Sequence, residues 1–244
     1  MKSFLSNRRY VITAAVAAAL VLGAAGFGIL YLAVFAGSSP QKLALSSPTP
    51  SSAASTSASA ATAGAGTWSV TTGSQAGYRV REQLASLPAP SDAVGRTTAI
   101  TGTLTLTQAA SGYSVTAAAF TVDVSRLASD KAQRDQRIHR QGLESDRYPT
   151  ATFQLTSPIA LPAEATSGQT IHVSATGALT IHGVTKTVTI PIDALLSGSQ
   201  VQLVGSISFP FSDFGMTPPS IGGFVSVQNT ATMEFKLVLT HQEA

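Results

Sequence analysis

The chain has 244 residues, no cysteine, 44% hydrophobic residues and only 11% charged ones. Without thiols there is no disulfide framework, no thiolate metal site and no cysteine nucleophile, and so few charges exclude a highly charged disordered chain. The formal net charge of +3 sits at the N-terminus: Lys2, Arg8, Arg9 and Lys42 precede Trp68, whereas all 12 acidic residues follow it, leaving a formal charge of −1 from Trp68 onward. A near-neutral body with no basic stripe interleaved with aromatics excludes nucleic acid as a partner.

In chain order, residues 1–10 carry the first three cations, and Val11 to Phe35 is an apolar run broken only by Thr13, small glycines and Tyr31. About 20 apolar residues cross a bilayer core, and this run exceeds the apolar region of a cleaved signal peptide. The sequence therefore predicts a signal-anchor helix over 11–35. Its N-terminus would be cytoplasmic by the positive-inside rule, and everything after it extracytoplasmic. The alternative is a signal peptide cut after Ala36. Residues 37–66 are mostly Ser, Ala, Thr, Pro and Gly, with Lys42 as their one charge. Too little large apolar surface is present to offset ordering, so this stretch is expected to be a flexible, disordered tether.

From Trp68 to about Thr240 the pattern turns to period two. Ile100, Leu104 and Leu106 alternate with threonines. Phe120, Val122 and Val124 follow the same rule, as do Val184, Val188, Ile190 and Ile192, and then Met233, Phe235, Leu237 and Leu239. These are strands with one apolar and one β-branched polar face. Turn signals at Ser111-Gly112, Ser167-Gly168, His182-Gly183 and Ser197-Gly198 separate them. The expected class is all-β and antiparallel, a sandwich or an up-and-down barrel. Arg126 to Arg147 departs from the pattern, holding six basic and four acidic residues. It is expected to form one or two short helices over the outside or mouth of the barrel, with Ser129 or Asp130 as cap and Gly142 as end.

An apolar inward face leaves two readings open: a cavity for an apolar chain, or a solid core. The histidines His139, His172, His182 and His241 never take a metal spacing with a carboxylate set. No nucleophile elbow, HExxH or phosphate-cradling glycine loop is present. No metal, cofactor or enzymatic activity is expected. An enzymatic reading would rest on His139, His172 or Asp213.

Several stretches resemble the YceI-like family: Arg134-Asp135 followed by Tyr148-Pro149-Thr150-Ala151-Thr152-Phe153, then Gly177 to Lys186 around Leu179-Thr180-Ile181-His182-Gly183-Val184, then Ser212-Asp213-Phe214-Gly215-Met216. They follow in the family's order over nearly all of Trp68–Thr240. The resemblance implies a lipocalin-like barrel, secreted or periplasmic, that holds a polyisoprenoid lipid or a quinone with its chain inside. On that basis the lining would be Phe120, Phe153, Leu179, Ile181, Phe209, Phe211, Phe214, Phe224 and Phe235. The head group or rim would involve Arg134, Asp135, Arg137 and His182. The early segment Gly73 to Arg79 lacks the His-Ser pair many members carry, and Arg137 stands where a histidine follows the Arg-Asp pair. The expected partners are a lipid and, through the N-terminal helix, the membrane; a homodimer stays open. The competing class is a non-catalytic envelope interaction module with a solid barrel core.

Overall fold

Alternating apolar and β-branched residues make good half-buried strands, and the chain from Gly66 onward lays them down one after another. The computed structural model describes residues 39–46, 64–84, 90–110, 112–221 and 225–242. The helix expected over 11–35, and most of the tether, lie outside the described residues. Among the described residues no helix is long and apolar enough to cross a membrane. The chain divides into two units, Met1–Pro40 and Gln41–Ala244, and everything below belongs to the second.

The strands are β1 (Gly66–Val70), β2 (Gln75–Leu84), β3 (Ser91–Thr97), β4 (Ile100–Ala109), β5 (Gly112–Asp123), β6 (Thr150–Leu155), β7 (Ile159–Ala160), β8 (Ile171–Ile181), β9 (Val184–Ser197), β10 (Gln200–Phe209), β11 (Ser220–Ile221) and β12 (Val225–His241). A closed antiparallel ring runs β1-β4-β5-β6-β8-β9-β10-β12 and returns to β1, giving a barrel of eight positions. Four positions are broken strands. β2 continues the line of β1 along β12, and β3 pairs with β2 as β4 does with β1. β7 continues the line of β6 along β5, and β11 that of β10 along β12. Ser74 secures the break between β1 and β2: its buried hydroxyl donates to Thr71 O at 2.8 Å and accepts from Val238 N at 2.9 Å.

The charged excursion folds as expected into short helical pieces: a 3-10 turn at Val124–Arg126, helix α1 (Ala132–Arg137) and a π-helical turn at Ile138–Gly142. The capping differs from the sequence reading. Lys131 occupies the N-cap without a side-chain bond. Ser129 Oγ accepts from Lys131 N at 3.2 Å, and Asp130 pairs with Arg134, so both candidate caps are engaged sideways. The His182-Gly183 turn joins β8 to β9 with both residues at positive φ, 53° and 73°. This is the backbone that two-residue hairpin loops require.

Eleven residues of the expected tether, 39–46 and 64–66, are among those described. Residues 41–46 lie against the outer face, with Leu43 and Leu45 half-buried. Arg96 of β3 donates to Gln41 O, Ser46 N donates to Gln202 Oε1 of β10 at 2.9 Å, and Lys236 Nζ of β12 donates to Ser46 Oγ at 2.5 Å. Beneath them Glu234 is buried between Arg79 (3.4 Å) and Arg96 (2.7 Å).

The interior holds two packed clusters. One gathers Trp68, Leu104, Leu106, Leu196, Leu237 and Leu239 at the end where β1 closes the ring. The other joins Val80, Ala93, Leu127, Phe209, Phe211 and Phe214 at the end covered by the helical excursion.

Candidate functional site

The second cluster is not packed solid. Beneath α1 and the π-helical turn lies a cavity of about 470 Å³, within the range of small-molecule sites. Its wall is mostly apolar: Val80, Val122, Leu127, Ile138, Leu143, Ile181, Phe209, Phe211, Met216 and Met233. Lys131, Gln133 and Arg137 also line it and are exposed, so the cavity meets the surface along α1.

Polar groups gather at this end. β2 turns Ala76, Tyr78, Val80 and Glu82 to the cavity, since alternate residues of a strand share a face. Glu82 is buried, and Arg134 Nη2 reaches its Oε1 at 2.5 Å. Arg134 Nη1 also bonds Ser129 Oγ at 3.3 Å and pairs with Asp130. Burial alone would lower the Arg134 guanidinium, but the hydrogen bond and charge of Glu82, joined by Asp130, hold it above its ordinary value. This pair ties α1 to the barrel wall. Asp135, expected at the rim, does not line the cavity: its Oδ1 accepts from Ser129 N at 2.9 Å and organises the loop before α1.

Tyr78 supplies the second polar group. Its hydroxyl is buried and makes no hydrogen bond among the described residues, with Ser129 close by. Burial drives the phenol far above its ordinary pKa, a shift that Arg134 opposes and Asp135 reinforces. The group is therefore a protonated donor without an acceptor. A neutral phenol and a compensated ion pair at one end of an apolar cavity suit a ligand with a polar head and a long apolar body.

The remaining candidates are distributed as follows. Ile181, Phe209, Phe211 and Arg137 line the large cavity, together with Arg134. Phe120, Phe153, Leu179 and Phe235 line smaller cavities deeper in the barrel. Phe214 is fully buried and packs against Phe209 with ring centroids 4.7 Å apart, so it supports the wall from behind. Phe224 lies outside the described residues. His182 is held in its turn: its ring packs on Tyr148 at 4.5 Å, Nδ1 lies 3.2 Å from Phe214 O, and Nε2 is 3.5 Å from Glu144. It does not line the cavity. His172 pairs with Asp193 at 2.6 Å on the exposed face of the sheet, His139 Nδ1 sits 2.5 Å from the buried Ser145 Oγ, and Asp213 is exposed. Among the described residues no three His, Asp or Glu side chains come together as a metal site.

Sequence reasoning missed Tyr78, Glu82 and Lys131. One signal was available: Glu82 falls on the apolar face of its strand, in phase with Ala76 and Val80, where an ionised group needs a partner.

A closed antiparallel barrel of eight positions with an internal apolar cavity is the architecture of small-ligand barrels such as the lipocalins. The chain belongs to the family defined by the YceI-like domain, whose pattern matches residues 68–239. No curated protein matches it in sequence. Among solved structures it is similar to a polyisoprenoid binding domain from Saccharophagus degradans implicated in plant cell wall breakdown, at 13% identity over 73% of this chain and 100% of that one, with a TM-score of 0.53. It is also similar to BcnA of Burkholderia cenocepacia (20% identity, 67% and 95% covered, TM-score 0.49). The YCEI protein of Campylobacter jejuni matches at 14% identity over 61% and 85%, with a TM-score of 0.49. At these identities the likeness is one of fold.

Proposed function

We propose that this protein binds an isoprenoid or quinone-type lipid, with the apolar chain in the cavity beneath α1 and the polar head at Tyr78 and the Arg134–Glu82 pair. The observation that carries this reading is the 470 Å³ apolar cavity with an unpartnered hydroxyl in its wall. Burial of a chain contributes about 0.8 kcal/mol per CH₂, so the chain supplies most of the affinity. Tyr78 donates to the head group, and the exposed Lys131 and Arg137 flank the entrance. The likeness to the polyisoprenoid binding domain of Saccharophagus degradans adds support. A solid-core interaction module is disfavoured by the same cavity, because an interior used only for packing would leave few voids.

In this reading the domain works outside the cytoplasm, held to the membrane by the helix expected over 11–35. What supports that placement is sequence: the apolar run and the cations Lys2, Arg8 and Arg9 before it. The protein binds its ligand and does not turn it over. The test is extraction of the full chain from its native host followed by lipid mass spectrometry. An isoprenoid or quinone recovered in a fixed ratio to protein supports the reading. Protein free of lipid, which also takes up none in vitro, would sink it.

A further inference from the structure

Among the described residues the barrel interior is not one cavity: three spaces lie in a row. Below the 470 Å³ chamber lies a space of about 70 Å³, and below that one of about 100 Å³. The order follows from shared walls. The upper chamber and the middle space share Ala76, Val122, Ala151 and Met233, whereas the middle and lower spaces share Phe120, Phe153, Ala175, Ile192 and Leu203. Three aromatic rings stand at the middle level: Phe120, Phe153 and Phe235.

Each of these rings lies over a glycine of the neighbouring strand. Gly102 is the register partner of Phe120, and Gly205 that of Phe235. A Cβ added at Gly102 would fall 2.5 Å from Phe120 Cδ1, and one at Gly205 would fall 2.5 Å from Phe235 Cζ. Gly177 would approach Phe153 closer still. Missing Cβ atoms on three strands thus make notches, and a ring is seated in each. Side chains seated this way have little freedom to rotate aside.

We propose that the ring of Phe120, Phe153 and Phe235 is a chain-length stop: it ends the ligand chamber and fixes how many isoprene units the protein accommodates. This rests on the reading that the barrel holds an apolar chain. A chain that fills the upper chamber meets the aromatic level, and added units stay outside in water, where they contribute nothing to affinity.

The experiment measures binding of the isoprenoid alcohols farnesol, geranylgeraniol and solanesol to the folded full chain and to Phe120→Ala and Phe235→Ala. Expected is a wild-type affinity that stops rising with chain length, and variants that gain about tenfold or more for solanesol, consistent with a few newly buried CH₂ groups. Phe120→Leu and Phe235→Leu retain apolar volume and serve if the alanine variants do not fold; the same shift is expected, smaller. Wild-type affinity that climbs steadily through solanesol, or variants with the wild-type length preference, overturns the stop while leaving lipid binding intact. Failure of every alcohol to bind the wild type and all variants overturns lipid binding itself, and the stop with it.

Discussion

The two ends of this barrel are built from the same kinds of strand and do opposite things with their interiors. At the end closed by β1, Trp68 is almost fully buried, its indole donates to Gly64 O at 3.2 Å, and Leu239 beside it has no exposed surface. At the other end the wall is lined by smaller residues, Ala76, Ala93, Ala151 and Ala231, and the space is left open beneath α1. The difference teaches where stability and function are separated. Large side chains on β1, β4 and β12 fill most of one half, leaving a space of about 100 Å³, while alanines on β2, β3, β6 and β12 help open the 470 Å³ chamber in the other. The polar groups follow the same division, with Tyr78, Glu82 and Arg134 all at the hollow end.

If the packed end carries the stability, Trp68→Ala should give the largest effect. A loss of about 3–5 kcal/mol is expected for removing a buried Trp, read by urea unfolding followed with far-UV circular dichroism. A loss below about 1 kcal/mol would break the comparison, since it would mean this end is as loosely filled as the other.

Filling the hollow end should do the reverse. Ala231→Leu places a larger side chain into existing space, so its stability cost should stay under about 1.5 kcal/mol. Binding of geranylgeraniol should nevertheless weaken by about tenfold or more, because several CH₂ groups lose their place. Stability lost with binding unchanged would show that the space is not where the chain sits.

The smallest effect belongs to Tyr78→Phe. Removing a buried hydroxyl that has no partner should change stability at neutral pH by no more than about 1 kcal/mol, in the stabilising direction. Because the folded phenol is raised, its contribution is fully present below the ordinary tyrosine value of about 10 and is lost as pH climbs from there through the raised folded value. The variant should not share that alkaline loss, as thermal melts across this window can check. A quinone or alcohol head group should bind it a fewfold more weakly, whereas a plain hydrocarbon such as squalene should bind both proteins alike.

Much of this was legible in the residues. Period-two alternation located β4, β5, β9 and β12, because each places one face inside and one in water. The Gly177–Lys186 stretch marked a hairpin, and Gly183 marked its turn. The helical excursion was legible from its charge, but its caps were not: Ser129 and Asp130 are good caps by residue type, and both are taken up by Lys131 N and Arg134 instead. Periodicity also could not say which inward residues border empty space. Phe209 and Phe214 read alike in sequence, yet one faces the cavity and the other backs the wall. Residues 41–46 show the same limit from outside. Their composition reads as tether, but Leu43 and Leu45 are half-buried and Gln41 and Ser46 are hydrogen-bonded to the barrel.

By itself the sequence determined an all-β antiparallel domain, an N-terminal cluster of cations before an apolar run, and a near-neutral body without thiols. Those properties are local, set by alternation, composition and where charges fall. Only the tertiary structure decided that the barrel is hollow at one end, that Glu82 meets Arg134 across 52 positions of sequence, and that three glycines on different strands seat three phenylalanine rings at one level. Each of these depends on which strands are neighbours and in what register, and no single strand's sequence contains that.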